Sequence, residues 1–240
     1  MPVLAPSSSL SRTPRVPGQC AVCRGWTGAA VCTACVGRFA APHPRCGRCG
    51  LRLAVPAPAC GACLAAPPPF TACVVACDYA FPWDRLIAAF KFEARVELAA
   101  PLADRLVQAL RDSDAARPDW VVPVPLAPRR LAERGYNQAW ELARRVADAL
   151  HLPSRASLLQ RHAEGEHQAA LGLAERRRNL RGAFIAGGDR QVSLHGAHVA
   201  VVDDVMTSGA TLAEAALALQ RAGVRRVDAW ALARTPAPDG

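Results

Sequence analysis

Eight of the ten cysteines fall within residues 20–63, as four C-x-x-C pairs: Cys20/Cys23, Cys32/Cys35, Cys46/Cys49 and Cys60/Cys63. No other feature of the chain restricts its fold as strongly. Two residues between thiols let both sulfurs of a tight turn meet one tetrahedral Zn²⁺, while backbone amides of the turn support them. Two such knuckles make a four-thiolate site, so eight thiols make two sites. A disulfide framework belongs to secreted domains, and a redox C-x-x-C comes singly. The spacing alone does not decide whether neighbouring or alternating knuckles share an ion. Residues 20–63 contain few large aliphatic side chains, so metal rather than an apolar core is expected to supply the folding energy of this double zinc ribbon. Residues 1–19, "MPVLAPSSSLSRTPRVPGQ", have no apolar stretch of signal-peptide length and read as a disordered tail. Trp26, between the first two knuckles, is expected to pack on its ribbon.

After a Pro-rich linker at 64–71, beginning "LAAPPPF", the texture changes. Strand-like runs at 72–80, 119–126, 199–203 and 224–233 alternate with helical periodicity at 96–110, 137–150 and from 212 to the stop at Gly223. That alternation predicts an α/β domain over 72–236, with a mostly parallel sheet flanked by helices. Cys73 and Cys77 read as small buried hydrophobes on one strand face. No apolar run reaches the length of a membrane span, so a cytoplasmic protein without membrane insertion is expected. The formal net charge of +9 favours anionic partners or, equally, an Arg-rich solvated surface. Lys91 is the single lysine, and a site needing a compact ammonium is one reason for it.

The stretch "VAVVDDVMTSGATL" (199–212) runs an apolar strand into two adjacent carboxylates and a small, hydroxyl-rich turn before a helix. A Walker B strand would need a phosphate loop ending in Gly-Lys-Ser/Thr, and Lys91 lies in no such loop. A dinucleotide fold needs a glycine-rich first turn, which is missing. Two buried, unpartnered charges would cost several kcal/mol, which leaves an exposed strand end or a ligand site. The backbone of Thr207, Ser208, Gly209, Ala210 and Thr211, together with a helix N-terminus, makes a phosphate cradle. Asp203 and Asp204 just before it suit the vicinal hydroxyls of a ribose whose 5-phosphate lies in the turn. Gly209 is expected to need a positive φ or a close approach by the ligand.

The segment "VVDDVMTSGATL" resembles the phosphoribosyl pyrophosphate (PRPP) signature of type I phosphoribosyltransferases. With the four knuckles, "IAAFKF" (87–92), "VPVPLAPRRLAERGYNQAWELA" (122–143), "HQAALGLAERRRNLRGAF" (167–184) and "VDAWALARTP" (227–236), nearly the whole chain resembles the ComF family, which comprises ComF and GntX proteins. The resemblance implies a double zinc ribbon followed by a type I phosphoribosyltransferase-like domain, and a role in natural transformation and DNA uptake. It implies PRPP binding by Asp203, Asp204, Val205, Met206, Thr207, Ser208, Gly209, Ala210 and Thr211, with Mg²⁺ bound along with the ligand. Ser208 stands where Thr is usual, and Ala210 is one of several small residues accepted there; neither change removes a backbone donor.

Pro125, Arg129, Arg130 and Arg134 are candidates for the diphosphate, since guanidinium forks match phosphate oxygens. For Arg129 a solvated helix face is an equal alternative. Tyr136 and Asn137 line the site or pack beneath it. Gln168 and residues 175–179 form a basic hood or an ordinary charged loop. A transferase with an unknown acceptor, and hence no nameable general base, stands beside two alternatives: a PRPP-responsive module without turnover, and a ribbon that binds single-stranded DNA. Aromatic residues are only 5% of the chain, which weighs against extensive base stacking.

Overall fold

The computed structural model describes residues 18–161, 182–187 and 192–237. The first cysteine unit opens with a short antiparallel pair, β1 (Gly18–Gln19) and β2 (Trp26–Thr27), so Gly18 and Gln19 belong to the ribbon and not to the tail. Helix α1 (Thr33–Phe39) follows, capped by Cys32, whose sulfur accepts from the Cys35 amide. The second unit carries an antiparallel bridge between Arg45 and Arg52 and then α2 (Gly61–Ala65), which starts after Cys60. Each second knuckle thus winds into a helix that begins between its two thiols.

The remainder is the parallel sheet flanked by helices that the alternating pattern predicts. Strand β3 (Ala72–Asp78) leads to α3 (Trp83–Phe92), a 3₁₀ turn at Val96–Leu98 and α4 (Ala99–Arg111). Leu98, Leu102, Leu106 and Leu110 are all buried, as their four-residue spacing predicts. Strand β4 (Trp120–Pro123) leads through α5 (Pro128–Arg134) and α6 (Gln138–Leu150) to a 3₁₀ turn at Ala156–Leu158 and the antiparallel pair β5 (Leu159–Arg161) and β6 (Phe184–Ala186). Strand β7 (His198–Met206), helix α7 (Ala210–Arg221) and strand β8 (Arg226–Arg234) complete the described chain.

The sheet order is β3-β8-β7-β4, and every pairing is parallel. Alternate residues of β7 serve opposite faces: Ala200 and Val202 pack with α3, α4 and α6, whereas Val199 and Val201 pack with α7. After β4 the chain crosses one face and returns outside β4, where Ser154 bridges Val121 in parallel. After β7 it crosses the other face and returns on the inner side as β8. The connections following β4 and β7 therefore diverge, which opens a crevice at the carboxyl ends of these two neighbouring strands.

The cysteine units are fastened to this sheet. Phe70, read from sequence as linker, is 1% exposed and lies in the core beside α7. The Thr71 amide donates to Val227 O (2.7 Å), and Gln220 Nε2 donates to Pro69 O (2.7 Å). The linker's apolar end is thus an anchor, because its one aromatic side chain is worth more buried than in water. The second unit meets the edge strand through the Cys73 amide, which donates to Gly47 O (2.8 Å). Gly50 sits at φ +69°, and a Cβ there would lie 2.2 Å from Val75 Cγ2, so only glycine permits this contact. The first unit is held by Trp83, whose indole N–H donates to Phe39 O (2.7 Å). Trp26, by contrast, is 77% exposed. Cys20, Val31 and Cys35 are the buried residues of its unit, and the indole stays outside them.

Candidate functional site

The eight knuckle cysteines form two groups of consecutive pairs: Cys20, Cys23, Cys32 and Cys35, and Cys46, Cys49, Cys60 and Cys63. Within each group the four sulfurs lie within 4.8 Å of one another. Cys23 and Cys32 sulfurs are 3.8 Å apart, and those of Cys49 and Cys60 3.7 Å. A tetrahedron of Zn–S bonds of about 2.3 Å has edges of about 3.8 Å, so the groups fit two structural zinc sites. The pairing is sequential. Burial works against the Cys20 thiolate, but amides of Cys32, Cys23 and Val22 outweigh it and lower the thiol to about 6. Cys46 is lowered to about 7 in the same way, by the amides of Cys60, Arg48 and Cys49. Burial pushes Cys35 the other way, up to about 12, and raises Cys49 and Cys63 as well, so the fold favours ionisation at Cys20 and Cys46 and opposes it at those three. Cys73 and Cys77 are buried, and burial pushes both thiols up, Cys77 to about 12. They are inert core residues, as expected.

Lys91, Asp203, Asp204, the chain at Val124–Pro125 and the turn at Gly209 lie at the carboxyl edge of β4 and β7. Strand β7 runs three residues beyond the expected end at Asp203, because β8 continues the ladder through Val205↔Ala233 and Met206↔Arg234. The two aspartates therefore lie inside the strand. Asp204 is 3% exposed, and its Oδ2 lies 2.8 Å from Lys91 Nζ at the end of α3. This contact is a charge pair rather than a well-angled hydrogen bond. Asp204 Oδ1 accepts from the Val205 amide (2.7 Å) and Asp203 Oδ1 from the Asp204 amide (2.9 Å). Asp204 is therefore not part of an exposed strand end, and the single lysine finds its place beside it. Asp203 is half-buried, and its pKa is raised well above the ordinary carboxylate range by loss of solvent and then by the Asp204 charge, with Lys91 acting the other way.

Beyond Met206 the chain turns at Thr207–Gly209 and enters α7. Gly209 has φ +78°, the left-handed conformation that glycine adopts without strain. Ser208 Oγ accepts from the Ala210 amide (3.3 Å). The next amides of α7 belong to the first helical turn, whose N–H groups have no intrahelical acceptor. The Val124 amide donates to Val202 O (2.9 Å), which sets Pro125 beside the aspartate segment of β7. Asn137 caps α6 by accepting from the Ala139 and Trp140 amides, and its Nδ2 donates to Val124 O (3.0 Å). Tyr136 donates its hydroxyl to Phe90 O and packs on the Phe90 ring. Both residues support the crevice wall from beneath. Arg134 stacks on Phe92, with its guanidinium carbon 4.9 Å from the ring centre, next to Lys91 in sequence. Arg129 and Arg130 are exposed on α5. Gln168 and residues 175–179 lie outside the described residues. Two clefts, of about 290 and 370 Å³, lie where the cysteine units meet β3 and α4, away from this edge.

Two participants escaped the sequence reading. Arg234, at the end of β8, donates to Cys49 O (3.1 Å) and to Met206 O (3.3 Å). At the opposite edge of the sheet His198 Nε2 lies 2.8 Å from Asp228 Oδ2, which also accepts from Arg226 (3.0 Å). The one available signal was Asp228 itself, a charge in the middle of an apolar strand.

No family model matches the chain. It is 36% identical over 230 residues to the DNA utilization protein YhgH of Salmonella typhi, a match covering 92% of this chain and 98% of that protein. To the YhgH protein of Escherichia coli K12 it is 35% identical, with the same coverage. With competence protein F of Haemophilus influenzae it shares 34% identity over 223 residues, 90% of this chain and 96% of that protein. Among solved structures it is similar to the glutamine PRPP amidotransferase of B. subtilis (20% identity, 56% of this chain and 26% of that chain, TM-score 0.38). It is similar also to the hypoxanthine phosphoribosyltransferase of Trypanosoma cruzi (14% identity, 59% and 76%, TM-score 0.35). On its identity of a third or more with YhgH and competence protein F over nine-tenths of its length, the chain belongs to the ComF family.

Proposed function

We propose that the chain is a PRPP-binding, phosphoribosyltransferase-like protein of the cytoplasm, with a double zinc ribbon over 20–63 and the binding domain over 72–236. The observation that carries this reading is the juxtaposition in β7 and α7: Asp203 and Asp204, then a turn at 207–211 whose Gly209 takes φ +78° and opens directly into a helix N-terminus. The ribose 5-phosphate takes the backbone N–H groups of that turn and the positive end of α7. Asp203 and Asp204 accept from the ribose hydroxyls, and Lys91 balances their charge. Arg134, Arg129 and Arg130, with the loop at Pro125, face the diphosphate. Mg²⁺ bound with PRPP would neutralise charge on the diphosphate as it departs. In a turnover the bond from C1 to the diphosphate loosens and an acceptor attacks the oxocarbenium-like carbon. Preorganised positive groups then supply most of the catalysis.

The experiment is a screen of nucleobases and small amines for diphosphate release with Mg²⁺-PRPP. Release with any acceptor establishes a transferase. PRPP binding without release under every acceptor leaves a PRPP-responsive module, and absence of binding overturns the reading. The names of the relatives support a place in DNA utilization and competence, alongside DNA-uptake proteins. A second reading, single-stranded DNA bound by the ribbons, is favoured by the exposure of Trp26 on a basic chain. Base–aromatic stacking is worth about 1–3 kcal/mol per base, so Trp26→Ala should then weaken oligonucleotide binding about tenfold or more and leave PRPP binding unchanged.

A further inference from the structure

The two cysteine clusters are fastened to different parts of the sheet domain. The first reaches it through Trp83, at the start of α3. Lys91 lies eight residues further on, about 12 Å along a helix. The second reaches β8 and β7 at the point where the turn 207–211 begins. Arg234 makes the junction: Nε donates to Cys49 O (3.1 Å), and Nη1 donates to Met206 O (3.3 Å), Thr235 O (2.8 Å) and Thr235 Oγ1 (3.1 Å). The Thr235 amide donates to the same Met206 carbonyl (3.1 Å). Met206 is buried beneath the turn; its Cε would lie 2.6 Å from a Cβ at Gly209, and its sulfur is 3.8 Å from the Cys73 thiol. A continuous path thus runs from a cysteine of the second cluster through one guanidinium to the residue on which the turn rests. The planar, forked shape of Arg allows one side chain to hold two backbone segments at fixed separation, which an ammonium cannot do.

We propose that Arg234 is a positioning residue that couples the second cysteine cluster to the turn 207–211, so that loss of metal from this cluster, and not from the first, loosens the turn. The consequence for phosphate affinity rests on the reading that this turn holds the 5-phosphate. The coupling is a property of this chain's backbone and is read without any ligand.

The test uses the full zinc-loaded chain and three variants: Arg234→Lys, Cys63→Ser in the second cluster and Cys35→Ser in the first. Hydrogen–deuterium exchange of residues 206–211 is followed in each, with bound zinc counted, and Mg²⁺-PRPP is titrated calorimetrically. Arg234→Lys and Cys63→Ser are expected to speed exchange in the turn about tenfold, the effect of losing a charged hydrogen bond or two. Cys35→Ser is expected to leave it unchanged while losing one zinc. PRPP affinity is expected to fall in the first two variants and hold in the third. Unchanged exchange in Arg234→Lys, or equal acceleration in all three, overturns the proposal. Should Cys63→Ser not fold, Arg234→Lys against Cys35→Ser decides. If wild type binds no PRPP and the exchange pattern appears, the phosphate reading falls and the coupling stands. If wild type binds PRPP and no variant changes exchange, the coupling alone falls.

Discussion

The same two strands, β7 and β8, carry buried carboxylates at both ends, and the ends are built differently. At the amino edge Asp228 is served by His198 and Arg226 side chains, and His198 Nδ1 has Arg117 O at 3.2 Å. Asp119 accepts from the His198 amide (2.8 Å), which ties the approach to β4 into the same knot. At the carboxyl edge Lys91 pairs with Asp204 and acts on Asp203 only through its charge, and Asp204 Oδ2 is left without a properly directed hydrogen bond. Like charges beside each other with one counter-charge raise the free energy of the ligand-free protein. A network satisfied on all sides locks strands together; a pair left short of donors is poised for something that brings them.

The contrast is most easily broken by Asp228→Asn. Removing one partner of a buried charged network leaves the other unpaired, at a cost of about 3–5 kcal/mol. The variant should therefore melt far below wild type in a thermal scan yet bind PRPP normally per folded molecule. A small melting shift would place the two edges on an equal footing. At the other edge Gly209→Val should leave PRPP affinity at least about 100-fold weaker, since a β-branched residue is a strong outlier at φ +78°. Titration calorimetry reads this, and an affinity within a fewfold of wild type would remove the turn from the site. Asp204→Asn comes next. It gives up one charged contact to the ribose, about 1.5–3 kcal/mol of affinity. Loss of the Lys91 pair and relief of the clash with Asp203 offset each other, so its melting temperature should stay close to wild type. Unfolding with affinity intact would make the pair structural. Smallest of all is Ser208→Ala, which removes one side-chain acceptor and should cost about 1 kcal/mol of affinity or less.

Acidity separates the edges by sign. Burial opposes ionisation of Asp228, but hydrogen bonds from His198 and Arg226 prevail and hold its pKa below the ordinary value. Its contribution is present above the unfolded carboxylate range and is lost as pH falls through the depressed folded pKa. Asp203 is shifted upward. Folding opposes its ionisation, so the penalty is absent below the unfolded carboxylate range and grows as pH rises toward the raised folded pKa. Denaturation of Asp203→Asn and Asp228→Asn across pH 3 to 8 should show the first more stable than wild type at neutrality, with the difference shrinking toward acid. The second should be less stable, with its difference also shrinking toward acid. Parallel curves of one sign would mean that the two carboxylates share one environment.

Those features set by local chemistry were legible in the sequence. C-x-x-C spacing announces four-thiolate sites, leucines every four residues announce α4, and Gly209 announces the left-handed turn ahead of α7. Features that depend on which strands become neighbours were not. That β7 would continue past Asp203 follows from β8 being long enough to pair with it. The Lys91 partnership joins residues more than a hundred positions apart, and only the packing of α3 against the sheet creates it. The ammonium was conspicuous as the single lysine, but its target was not. Phe70 looked like the end of a linker because its prolines are local, whereas its burial under α7 is not. Arg234 closes an apolar strand in an arginine-rich chain, so nothing in its surroundings marked it out.

Strand β3 stands at the edge of the sheet, and the Gly47 carbonyl meets its Cys73 amide there, with Gly50 pressed against Val75. An uncovered edge strand is a template on which another chain can add a strand of its own. The second cysteine unit is therefore also a guard against self-association. A chain deprived of metal in that unit does more than lose a folded module. It bares the Cys73 amide and the face of Val75 on an apolar edge strand, and its solubility should decline before its sheet unfolds.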